Sequence, residues 1–229
     1  MVKYIESNLS KMKQIFIFIR CGDTIPNSPN SERRLSESAL DRAHQLKQKI
    51  EKLGYVPNKI FISPTVRAKE MAQEMYPQKQ HIEVKELYAN LSGPTEKINY
   101  EILESMKSFY KISGVLENIK ESIHFIHVNS EITITTDMIK KNALKMYEDV
   151  KIANDFIKND LAMYETSGRH KECVTLVIAH DGVLNLLGYF MAKPWHDHLH
   201  RTLFHNQYEK GHGMIFNETS FDYISPFHS

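Results

Sequence analysis

Three times along this chain, a short apolar run rich in β-branched and aromatic residues ends in a polar turn and gives way to an apolar stripe at helical spacing. Residues 14–19 lead into Arg20-Cys21-Gly22-Asp23-Thr24, and the stripe Leu40, Ala43, Leu46, Ile50 and Leu53 follows, with Ser36 placed to cap a helix and Gly54 just past its end. Residues 59–62 break at Ser63-Pro64 before Ala68, Met71, Ala72 and Met75 resume the helical period. Residues 173–179 form a continuous apolar run ending in His180-Asp181-Gly182, and an apolar helix continues to about Met191. Strands that are apolar on both faces, each followed by a helix, predict a parallel sheet covered on its two sides. The expected fold class is α/β, a three-layer sandwich with a central, mostly parallel sheet.

Residues 96–165 are mostly helical in pattern, interrupted by β-branched runs at 123–128 and 132–136, and are expected to form a helical cap inserted over the sheet. Within them, 136–164 is long and charged, with Ile139, Leu144, Tyr147, Val150, Phe156 and Leu161 as its apolar side. No repeat or low-complexity segment divides the sequence, so residues 1–229 are expected to form one domain carrying that cap.

A chain of 229 residues, 41% of them hydrophobic, can bury one sizeable core. Its 29 basic and 28 acidic side chains leave a formal charge of +1, so no global field draws it to nucleic acid or to a membrane, and neither partner is expected. No apolar stretch approaches the roughly 20 residues of a membrane span and no secretory pattern opens the sequence, which makes the cytoplasm the expected location. Cys21 and Cys173 are too few for a disulfide framework and are expected as reduced thiols.

Ligands of open parallel sheets bind beyond the carboxyl ends of the strands, and each polar motif here follows a strand directly. Arg20, Arg67 and His180 should therefore converge. Two guanidiniums and an imidazole suit a tetrahedral phosphate, so the expected partner is phosphate, a phosphorylated small molecule or a phosphoprotein.

In order and spacing these motifs resemble the histidine phosphatase (phosphoglycerate mutase-like) superfamily. The matching elements are Arg20-Cys21-Gly22-Asp23-Thr24, Leu35-Ser36-Glu37, Ser63-Pro64 with Arg67-Ala68 and Met71-Ala72, and Val177-Ile178-Ala179-His180-Asp181-Gly182. They span roughly residues 14–90 and 140–192. The resemblance implies metal-independent phosphoryl transfer with no cofactor: the residue after the first Arg attacks phosphorus, and Arg20, Arg67, His180 and Thr24 hold the phosphate oxygens. A carboxylate then protonates the leaving group. Two positions depart from the pattern. Cys21 occupies the nucleophile position, where the family has His, and Leu87-Tyr88-Ala89 puts Ala where many members carry Glu. Glu86 is the candidate acid, with Glu96 and Asp181 as neighbouring carboxylates.

A thiol between two guanidiniums is expected to have a lowered pKa, and a thiolate is a good nucleophile. Reach opposes it: the sulfur stops about 2 Å short of an imidazole Nε2 on ordinary bond lengths. A misplacement of about 1 Å can cost on the order of a hundredfold in rate. Asn27 also stands where thiol phosphatases carry the Arg of their phosphate-wrapping loop. The expectation is a phosphate-binding protein whose hydrolytic activity is lost or strongly reduced. A Cys21-based phosphomonoesterase and a protein-interaction module with a vestigial pocket are the alternatives.

Trp195-His196-Asp197-His198-Leu199-His200 and His205 would line one face of a strand with imidazoles, but ligands after other strands are lacking. The segment is read as a polar loop, and no metal site is expected. Tyr88, Tyr100, Phe109 and Tyr110 are read as packing between cap and sheet rather than as stacking on a base.

Overall fold

The computed structural model describes residues 12–25, 32–88, 136–167, 171–192, 194, 199, 202–204 and 208–226. Four strands, β1 (Lys13–Arg20), β2 (Lys59–Ile62), β3 (Ile82–Glu83) and β4 (Glu172–Ala179), run parallel. Two more, β5 (Gly213–Phe216) and β6 (Phe221–Ile224), extend the sheet antiparallel beside β1. The order across the sheet is β3-β2-β4-β1-β5-β6. The expected parallel α/β sheet is present, and β5 and β6 are additions that the sequence reading does not contain. They are four-residue strands joined by a tight turn in which Asn217 Oδ1 accepts from the backbone N–H of Thr219 at 2.8 Å and of Ser220 at 3.1 Å.

Alternation along β1 builds the two cores. Ile15, Ile17 and Ile19 pack beneath α1 (Glu37–Lys52) and α2 (Val66–Met75), while Phe16 and Phe18 turn to the opposite face. That second face is covered by α3 (Thr136–Thr166) and α4 (Asp181–Ala192). α1 starts at the expected cap, where Ser36 Oγ accepts from Ala39 N at 3.3 Å, and it is followed by Gly54 at a φ of +86°.

α3 closes the span expected as a cap; residues 96–135 of that span lie outside the described residues. The helix packs on the sheet itself, burying Ala143, Met146, Tyr147, Val150, Ala153, Ile157 and Leu161. Phe156, expected on the apolar side, is 47% exposed and meets Phe61 with ring centroids 6.3 Å apart, while Ile157 is the residue that turns inward. Among the described residues no helix is long and apolar enough to cross a membrane.

The turn after β1 lies directly on the first turn of α1. A Cβ on Gly22 would stand 2.7 Å from Ala39 Cβ and 3.5 Å from Ala39 Cα. Gly22→Ala is therefore expected to destabilise the protein by about 1–3 kcal/mol through overpacking. The measurement is urea unfolding, with a lower midpoint and an unchanged slope.

Candidate functional site

The three motifs emerge level with one another because β2, β4 and β1 are neighbours in register. Arg20 pairs with Ala179 and Ile62 with Ile178. Cys21 N donates to Ala179 O at 3.1 Å and Ser63 N to Ile178 O at 2.9 Å, so the chain leaves all three strands at one depth. Arg67 comes from the first turn of α2, behind the buried Ser63 and Thr65, and is itself 7% exposed.

The structure brings Arg20, Cys21, Arg67 and His180 together. Arg67 Nη2 lies 3.2 Å from both ring nitrogens of His180, and the same guanidinium hydrogen-bonds the Cys21 thiol. Arg20 donates from Nη1 to Tyr208 O at 2.5 Å, and its Nη2 meets Asp181 Oδ2 at 3.4 Å. The Tyr88 ring stands edge-on to His180 with centroids 6.2 Å apart.

The expected lowering of the Cys21 pKa is reversed. The residue is 4% exposed and belongs to the core beneath α1 and α2, and this burial pushes its thiol up to about 11 although Arg67 and Arg20 both pull it down. Burial, then Arg67 and Arg20, hold the His180 imidazole down to about 3. Near neutral pH the pocket thus holds a neutral thiol, a neutral imidazole and two guanidiniums, a setting that favours an anion.

Both shifts make stability depend on pH. Between the ordinary value of 6.5 and about 3 the unfolded chain protonates at His180 and the folded chain does not, so this contribution is complete above pH 6.5 and is lost as pH falls towards 3. For Cys21 the unfolded thiol ionises first, so its contribution is present below pH 9 and lost as pH rises towards about 11. Urea midpoints measured against pH are expected to fall on both limbs. His180→Asn should flatten the acid limb and Cys21→Ser the alkaline one; a limb unchanged by its variant refutes that assignment.

Thr24 is half-buried and bridges to Leu35 on the way to α1. Glu86 is half-buried in the 3-10 turn Lys85–Leu87 that carries Tyr88 to His180. Among the described residues, no hydrogen bond or ion pair links either side chain to Arg20, Arg67 or His180. Ala89, Glu96, Tyr100, Phe109, Tyr110, Asn27 and the imidazoles of 196–205 lie outside the described residues. Among those described, no group of three or more His, Cys, Asp or Glu side chains is arranged to hold a metal ion. Sequence reasoning missed Tyr208, which anchors Arg20 from 188 residues away, and no local pattern marks it.

No family model matches the chain, and no curated protein matches it. Solved structures do. The phosphoglycerate mutase of Bacillus anthracis str. Sterne superposes over 94% of each chain with a TM-score of 0.53 at 15% identity. The alpha-ribazole phosphatase of Shigella flexneri covers 88% of this chain and 89% of its own, with a TM-score of 0.51 at 16% identity. The fold is phosphoglycerate mutase-like. A phosphoserine phosphatase of Entamoeba histolytica, solved with 3-phosphoglyceric acid, matches over 91% of this chain and 96% of its own at 15% identity and a TM-score of 0.50. The phosphoglycerate mutase-like fold sets Arg20, Cys21, Arg67 and His180 at the carboxyl ends of three adjacent parallel strands.

Proposed function

We propose that this chain is a histidine phosphatase superfamily member that binds phosphate or a phosphorylated ligand and hydrolyses it weakly or not at all. The observation that carries the reading is the gathering of Arg20, Arg67 and His180 around a buried thiol held protonated. Arg20 and Arg67 supply the charge-assisted donors that a phosphate dianion needs. The nucleophile position supplies little: burial raises the Cys21 thiol to about 11, so it stays protonated near neutral pH. The similar folds include a phosphatase solved with 3-phosphoglyceric acid, which supports a small phosphorylated organic acid as one class of ligand. The cytoplasm suits two buried, free thiols, Cys21 and Cys173.

The test uses the wild-type chain with inorganic phosphate and with 4-nitrophenyl phosphate. Phosphate is expected to bind in a calorimetric titration, while nitrophenol release stays at the rate of the protein-free blank. Turnover by the wild type that disappears in Cys21→Ser would overturn the reading in favour of a Cys21 phosphomonoesterase.

A further inference from the structure

The loop at 208–212 is fastened to Arg20 at three points. Tyr208 O accepts from Arg20 Nη1 at 2.5 Å, Gly211 N donates to Arg20 O at 3.1 Å, and Arg20 N donates to His212 O at 3.0 Å. Two residues outside the pocket, Asp23 and Arg42, lie against that loop. Asp23 Oδ2 accepts from Arg42 Nη2 at 2.6 Å, and Asp23 Oδ1 lies 3.4 Å from Nζ of Lys210, which belongs to the loop. Arg42 is itself well held: its side chain is 17% exposed and its Nε donates to Ser38 O at 3.1 Å. It also packs against Gly211, where a Cβ would come within 3.9 Å of Arg42 Nε and of Gly22 Cα. Gly211 adopts a φ of +72°, so a side chain there would be strained.

We infer that Asp23 and Arg42 are positioning residues that hold the 208–212 loop against Arg20 and so aim its guanidinium at the bound anion. The inference rests on the phosphate-binding reading above. An arginine already fixed before the ligand arrives avoids the ordering cost that a free one meets on binding. The Asp23–Arg42 bond also lowers the Asp23 pKa, which keeps the carboxylate charged through the ordinary pH range.

The experiment measures the affinity of the full chain for inorganic phosphate. Asp23→Asn and Arg42→Met are each expected to weaken binding roughly fivefold to tenfold, the scale of freeing one side chain. If one variant fails to fold, the other carries the measurement. A general structural role is distinguished by background. In Arg20→Lys there is no guanidinium to aim, so adding Asp23→Asn should cost less than about twofold, whereas in Arg67→Lys it should cost the full factor. Equal losses in the two backgrounds, or no loss in the wild-type background, overturn the inference while leaving the phosphate site standing. If the wild type does not bind phosphate at all, the inference falls together with that site.

Discussion

Cys21→His is expected to give the pocket slow phosphatase activity above that of the wild type. The imidazole reaches about 2 Å further than the thiol towards a phosphorus held between Arg20 and Arg67. The local field also favours it, since the burial and guanidiniums that hold His180 down to about 3 would keep a second imidazole neutral and therefore nucleophilic. Hydrolysis of 4-nitrophenyl phosphate should rise at least on the order of a hundredfold over the wild type, and should be lost again in Cys21→His with Arg67→Ala. For an alkyl phosphate, whose leaving group needs a proton, Glu86→Gln in the same background should slow turnover by about a hundredfold if Glu86 is the acid. An unchanged rate assigns that task elsewhere, and Ala89→Glu becomes the variant to make. If Cys21→His folds, binds phosphate and still releases nothing, the histidine-phosphatase reading of the pocket fails.

The second large effect is expected from Arg67→Ala. Arg67 touches both Cys21 and His180 and is 7% exposed, which fixes its guanidinium between them. Hydrogen bonds to charged groups contribute about 1.5–3 kcal/mol each, so phosphate binding should weaken on the order of tenfold to a hundredfold. Arg67→Lys should recover little, because a point charge cannot span thiol, imidazole and phosphate as a planar fork does. The same guanidinium lowers the pKa of both neighbours, so its removal should raise both. An NMR titration of His180 is expected to show the imidazole taking up its proton at a higher pH in Arg67→Ala than in the wild type. Phosphate affinity indifferent to this change would remove Arg67 from the site.

Much of the scaffold was legible because its signals are local. β1, β2 and β4 are apolar runs bounded by turns, and Ser36 caps α1 where its position before the apolar stripe says it should. β5 and β6 escaped because they form a hairpin with no helical stripe after either strand to mark a strand–helix unit, and their pairing depends on β1, almost two hundred residues earlier. In α3 the apolar side was read one residue off at Phe156, since aromatic character is visible in a sequence and the facing of a long helix is not. The partners of Arg20 divide in the same way. Asp181 lies beside the His180 motif, whereas Tyr208 reaches the site only through the loop before β5.

The sequence by itself determined the alternation of strand and helix, the exit of Arg20, Ser63 and His180 from strand ends, and the place of the Cys21 thiol directly after β1. These follow from residue type and spacing along the chain. Tertiary structure decided the charge state of that thiol. Two nearby guanidiniums stabilise a thiolate and burial opposes it, and the balance depends on how deep the sulfur lies beneath α1 and α2. It also decided how Arg20 is held, because the Tyr208 carbonyl and the Asp23–Arg42–Lys210 contacts are made by segments that only the folded sheet brings side by side.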